Sequence, residues 1–296
     1  MKKLLLILFC LPMIGFGQNV NIPDANFKTY LLGNPLINTN GDSEIQISEA
    51  NSFSGIIDCL MMNISDLTGI ENFTALTALS CGANQLTSLD VSNNTALTDL
   101  YCNYNQLTSL DVSNNNDLFV LHCQGNQLTS LDVSQNTALT YLICHTNQLT
   151  SLDMSNNTAL IYLDCYVNYI ECLDISNNLI LTDLNCRDNL LTQLNTKNGN
   201  WQNMDVEASS NNLTCVEVDN IGYASNNWIF DSFTTLSTNC NYTNPCNTTS
   251  SINEEVTNKN LIKTINILGV ETKCYKNQPL LYIYNDGTVK KRIVIE

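Results

Sequence analysis

The chain has 296 residues, of which 12 are basic and 28 acidic, for a formal net charge of −16. Only 14% of it is charged and 44% is hydrophobic, which excludes a disordered acidic polymer. The acidity also excludes a nucleic-acid binder, because a phosphate backbone needs a basic face. The excess is uneven: residues 18–251 carry three basic and 23 acidic residues, and 252–296 carry seven basic and five acidic, which reads as two modules.

Lys2 and Lys3 precede an almost wholly apolar run from Leu4 to Phe16, and Gly15 and Gly17 stand at the −3 and −1 positions before Gln18. Residues 1–17 therefore read as a secretory signal peptide. The run is too short to span a bilayer, and no later stretch is long and apolar enough to do so. The expectation is an exported chain with no transmembrane segment after signal removal.

Residues 18–56 read as an N-terminal cap. Ile22-Pro23-Asp24 starts a helix that carries Phe27, Tyr30 and Leu31. Next comes a loop with oxygen-bearing Asn38, Asn40, Asp42, Glu44, Gln46 and Glu49, and apolar Ile45. It resembles an EF-hand or dockerin calcium loop, which makes those six residues candidate ligands and calcium the one candidate cofactor. It departs from the pattern at Asn38, where Asp is usual, and at Ser43, where glycine is usual and is displaced upstream to Gly41. Both changes weaken calcium binding, and the alternative is a loop that only caps the body of the chain.

From residue 57 to 219 a motif recurs. Leu-Thr-Ser-Leu-Asp-Val-Ser starts at Leu86, Leu107 and Leu128, and variants start at Leu149, Ile170 and Leu191, each 21 residues on. A short fixed period means a solenoid, in which each coil buries its apolar edge on its neighbours. The unit L-x-x-L-x-C-x-x-N-x-L-x-x-L-D-V-S-x-N resembles the leucine-rich repeat. That resemblance implies a β-rich solenoid of short parallel strands with the Leu and Cys of each L-x-C facing inward. At about 4.8 Å per strand, eight coils give a rod about 38 Å long.

Seven cysteines keep register (Cys59, Cys81, Cys102, Cys123, Cys144, Cys165 and Cys186), with Ala208 in the next coil. Replacement by alanine marks a space-filling role, so these read as a reduced, packed ladder. A row cannot surround a zinc ion as four ligands must. Two asparagine rows, Asn84 to Asn211 and Asn94 to Asn178, read as satisfying backbone groups where strands end. The row Asp90, Asp111, Asp132, Asp153 and Asp174 reads as solvated turn-stabilising carboxylates, with a row of calcium ions as the sharper alternative.

The outward positions around L-x-C differ in every coil, although the L-D-V segment barely changes. They gather both histidines of the chain and four tyrosines. Tyrosine offers large contact area with a polar tip. In the leucine-rich-repeat family this face is the concave recognition surface, so Tyr101, His122, Tyr141, Ile143, His145, Tyr162, Asp164, Tyr166 and Arg187 are the candidate ligand contacts. No catalytic set emerges: each ladder cysteine faces away from its neighbouring histidine, and no phosphate loop or serine elbow is present.

Residues 220–240 read as a C-terminal cap, closed by a candidate disulfide between Cys215 and Cys240; export permits such bonds. Cys172, Cys246 and Cys274 are left without an assigned partner. The Asn-, Thr- and Ser-rich stretch 241–260 reads as a linker. Residues 261–296 hold alternating apolar strands around Asp286-Gly287, a hairpin signal. The pattern N-I-L-G-x-E followed by P-L-x-Y-I-Y-x-D-G-T-V-x-K-R-I-V-I-E resembles a short form of the C-terminal sorting domain of the Bacteroidetes type IX secretion system. That implies passage across both membranes, with the secretion machinery as a partner of 261–296. The functional expectation is a non-enzymatic exported protein, secreted or at the cell surface, that binds an extracellular protein or glycan. A secreted hydrolase and a passive surface-coat protein are the competing classes.

Overall fold

The computed structural model describes residues 18–242 and Cys246, and beyond them the backbone of three strands. The expected signal peptide at 1–17, most of the expected linker, Cys274 and the Asp286-Gly287 turn lie outside the described residues. The chain divides into two compact units, Met1–Asn247 and Thr248–Glu296.

The first unit opens with helix α1 (Ala25–Leu32). Asp24 caps it, accepting the N–H groups of Asn26 and Phe27 at 2.9 and 3.0 Å, and Phe27 and Leu31 are fully buried. Helix α2 (Ile47–Ser52) starts with a capping box between Gln46 and Glu49. The other Asp24 oxygen accepts Ser65 N–H at 2.8 Å, tying the cap to the first coil.

Twelve three-residue strands come next: β1 (Ile56–Asp58), β2 (Ala78–Ser80), β3 (Asp99–Tyr101), β4 (Val120–His122), β5 (Tyr141–Ile143), β6 (Tyr162–Asp164), β7 (Cys172–Asp174), β8 (Asp183–Asn185), β9 (Gln193–Asn195), β10 (Asp205–Glu207), β11 (Cys215–Glu217) and β12 (Thr235–Ser237). Strands β1 to β6, β8 and β10 form one parallel sheet in chain order, and β7, β9, β11 and β12 a second. Successive strands superimpose residue for residue: Leu79 pairs with Leu100, Leu100 with Leu121 and Leu121 with Leu142. Alternation along each strand sends that leucine and the cysteine two residues later inward, and all seven ladder cysteines are fully buried and unbonded. This is the expected β-rich solenoid with its small helical cap. The second sheet was not expected; it forms where Thr-Ser of the early coils gives way to Glu171-Cys172, Thr192-Gln193 and Thr214-Cys215.

Both ends of the main sheet are covered. The Tyr30 hydroxyl accepts the Asp58 N–H on the outer edge of β1 at 2.8 Å. At the far end, helix α3 (Ile221–Asn227) delivers Ile229 onto the edge of β10. Its N–H donates to Val206 O and its carbonyl accepts from Ala208 N–H, both at 2.9 Å.

The chain then returns across the second sheet as a strap. Cys240 is bonded to Cys215, the Tyr242 hydroxyl donates to Cys215 O at 2.7 Å, and Cys246 is bonded to Cys172. Asn241, Tyr242 and Cys246 thus belong with the solenoid. The Cys172–Cys246 pair had no sequence signal, because only the folded coils bring those positions together.

In the second unit β13 (Leu261–Asn266), β14 (Pro279–Tyr284) and β15 (Val289–Ile293) form an antiparallel sheet, with Ile283 opposite Val289 on either side of the expected hairpin turn. No helix among the described residues is long and apolar enough to cross a membrane.

Candidate functional site

The scaffold beneath the varied face is held by the first asparagine row. Asn126 Nδ2 donates to Cys102 O and Cys123 O at 3.1 and 3.0 Å, and its Oδ1 accepts Leu107 N–H at 3.0 Å. The same bonds recur at Asn105 and Asn147. One amide thereby serves two coils, as the sequence led us to expect. The second row departs from expectation. Asn115 and Asn136 donate to two carbonyls of preceding coils, but the Oδ1 atoms of Asn94, Asn115, Asn136, Asn157 and Asn178 have no partner.

On this scaffold the strip faces outward in three parallel columns. Tyr141 and Tyr162 pair across β5 and β6 and stack with ring centroids 6.1 Å apart. Tyr101 and His122 meet edge to face at 4.8 Å. His145 stacks on Tyr166 at 4.1 Å, and the Arg187 guanidinium lies 4.8 Å from the centroid of the Tyr166 ring. All nine predicted contacts therefore fall on one face of β3, β4, β5, β6 and β8 and the residues just after these strands. Tyr141 is exposed, but His145 and Asp164 are only 9% and 8% exposed, because their larger neighbours close over them. Burial pushes His122 and His145 down from the usual imidazole range, and Arg187 adds to this for His145. It pushes Asp164 up to about 6, against the nearby Tyr166 N–H and Arg187.

The polar network of the strip is incomplete. Outside the second asparagine row, three buried polar side-chain atoms among the described residues lack a hydrogen-bond partner: Gln124 Oε1, Asp164 Oδ1 and Arg187 Nε, the last standing 3.8 Å from the Asp188 carboxylate. All three lie on the strip. Buried polar groups ordinarily find a partner in protein, ordered water or ligand.

Sequence reasoning missed part of this face. Phe119 is exposed beside Tyr141, at a position held by Thr98 and Thr140 in the flanking coils. Beyond Asn185 the face ends in a depression of about 260 Å³, lined by Tyr162, Asp183, Asp205, Glu207, Asn227 and Ile229 among others. Carrying the repeat register one coil further, from Asp183 to Asp205 and from Asn185 to Glu207, would have found its acidic rim.

Elsewhere the predicted chemistry is quieter. Burial lifts the thiols of Cys59 and Cys102 to about 12, and Cys123 well above its normal value, so the ladder offers no nucleophile near neutral pH. Asp90, Asp111 and Asp132 each accept the N–H of the serine two residues on at 2.9 Å; with the serine hydroxyls, this holds their carboxyls low. That is turn chemistry.

In the N-terminal loop, Asn40, Asp42 and Gln46 bond to one another, and Asn38 Oδ1 accepts Gly41 N–H at 3.1 Å. The Glu49 carboxylate is used by the N–H groups of Thr39, Asn40 and Gln46, and Glu44 turns away to Lys28 at 2.7 Å. Asn40, Asp42 and Gln46 are thus drawn together, with Glu49 reached through the Asn40 N–H, while Glu44 is taken by Lys28. No group of three or more His, Cys, Asp or Glu side chains among the described residues is arranged to hold a metal.

Solved structures supply the comparison. Internalin C2 of Listeria monocytogenes matches 74% of this chain and 98% of its own at 19% identity, with a TM-score of 0.59. The internalin InlF of the same organism matches over 76% and 74% at 18% identity, with a TM-score of 0.54. The fold is that of a leucine-rich repeat protein. The functional domain of InlJ from Listeria monocytogenes, described as including a cysteine ladder, is 28% identical over 75% of this chain, with a TM-score of 0.42. This chain spans 62% of that domain's length. No protein-family model matches the sequence, and no curated protein matches it.

Proposed function

We propose that this leucine-rich repeat chain is exported and that its strand-face strip binds a macromolecule, protein or glycan, at or outside the cell surface without acting on it chemically. The observation that carries this reading is the strip itself. An almost invariant scaffold presents a face that changes in every coil, rich in aromatic side chains and holding three polar atoms left without hydrogen-bond partners. Aromatic anchors beside unsatisfied polar groups are what recognition surfaces use for contact area and specificity. The test is binding of the mature chain to protein and glycan arrays. Tyr141→Ala with Tyr162→Ala should weaken specific binding by about tenfold or more. Unchanged binding would remove the strip from the function.

Export would use the signal peptide at 1–17 and, as a type IX sorting signal, residues 261–296. The compactness of Thr248–Glu296 as a unit of its own and its three-stranded sheet support that part. Fractionating cells and medium with and without residues 261–296 tests it, and truncation should leave the protein inside the cell envelope.

A further inference from the structure

The strip changes character along the rod. Its middle is aromatic. Its last two strands, β8 and β10, place Asp183, Asp205 and Glu207 around the depression, with the Tyr162 ring and Ile229 as its apolar walls. We propose that this depression takes a lysine or arginine side chain presented by a polypeptide partner. The proposal rests on the strip being a recognition surface and names the class of its occupant.

Three observations point to a cationic side chain. The first is size: about 260 Å³ lies below the usual range of small-molecule pockets but admits one long side chain. The second is the wall pattern. An aliphatic stem can lie along Tyr162 and Ile229 while its charged head reaches the carboxylates, as long basic side chains do on amphipathic surfaces.

The third is a shortage of positive charge. The depression is lined by three carboxylates, Asp183, Asp205 and Glu207, and a fourth, Asp164, is buried next to the lining residue Asn185 with its Oδ1 unpartnered. The one cation nearby, Arg187, is shared: it stands 3.8 Å from Glu207 and 3.8 Å from Asp188, so the acids outnumber it. Ammonium and guanidinium groups bring positive charge and donors to carboxylates, which can only accept. A neutral sugar would leave the carboxylates uncompensated, and an acidic glycan would be repelled. A metal ion fits less well, because no three of these acids converge as ligands.

The test uses the full mature chain at physiological salt, where long-range charge attraction is screened. The probes are fluorescent heptapeptides built around a central Arg or Lys, each compared with its citrulline or acetyl-lysine counterpart. Cationic members should bind about tenfold more tightly than their neutral twins. Asp205→Asn with Glu207→Gln should erase that difference. Asp111→Asn with Asp132→Asn, which removes the same charge from the turn row, should keep it, and thermal melts of both variants verify folding. Asp183→Asn gives a second, independent reading of the rim.

Equal binding of cationic and neutral peptides overturns the proposal, as does equal loss in the two double variants. Failure here is separable from failure of the strip. Suppose a partner is weakened by Tyr101→Ala with Tyr141→Ala but not by the rim variants. The strip then stands and this occupant falls. The reverse pattern leaves the depression as an isolated site for basic side chains.

Discussion

Asn126 joins three backbone groups of two coils through one amide, and Asn136 joins two while leaving its own carbonyl orphaned. The two rows therefore differ in value. Asn126→Ala strands the buried Leu107 N–H, while the Cys102 and Cys123 carbonyls keep the amides of Asn105 and Asn147, and should cost about 1–3 kcal/mol; Asn136→Ala strands no N–H, removes an unsatisfied atom and should cost about 1 kcal/mol or less, both read from chemical denaturation. Asp164 makes a second prediction. Its pKa is raised in the folded chain to about 6, above the unfolded carboxyl value. Between roughly pH 4 and 6 the folded state holds a proton that the unfolded state has released, so this group's contribution is intact at low pH and lost as pH rises through the folded value. Asp164→Asn should remove that decline and raise stability at pH 7 by about 1–2 kcal/mol relative to the parent, with the gain absent at pH 4. A constant difference across this range would show that Asp164 is not the titrating group.

At the level of elements, the strap is the piece that a linear reading could not place. The 21-residue period announced the strands, the thiol ladder and the asparagine rows, because each depends on residues that repeat in phase. Cys172 and Cys246 are 74 residues apart and occur once, so only the curvature of the coils shows that they meet. The covering of His145 and Asp164 was equally hidden, since it depends on how Tyr166 and its neighbours lie across adjacent coils rather than on any one coil. The acidic rim was missed for a plainer reason: the repeat degenerates near Asp205, although its register continues. Closing the long loop between Cys172 and Cys246 is worth up to about 4 kcal/mol in chain entropy. Cys172→Ser with Cys246→Ser should cost about 2–4 kcal/mol, since the Cys215–Cys240 bond already closes part of the loop. Limited proteolysis should then cut near Tyr242, while peptide binding at the strip stays unchanged.

For the molecule as a whole, the cap at the N-terminal end is held by its own hydrogen bonds and by the Lys28–Glu44 pair. Millimolar calcium or a chelator should therefore shift the melting temperature by less than about 1 °C, since a ligand that binds neither state moves no equilibrium; a clear rise with calcium would restore the loop as a metal site. Glu49→Ala should destabilise, because it strips partners from Thr39, Asn40 and Gln46 together. The blocked edges at Tyr30 and Ile229 carry a consequence for assembly. A parallel-strand rod with bare ends is a template on which another copy could continue the ladder, and such growth has no natural stopping point. With a phenol plugging one terminus and a returning chain plugging the other, concatenation of the main sheet into filaments is denied. The reach of the strand face is then a quantity written in the gene, one coil at a time, and gain or loss of a coil by duplication or deletion would lengthen or shorten it without disturbing either plug.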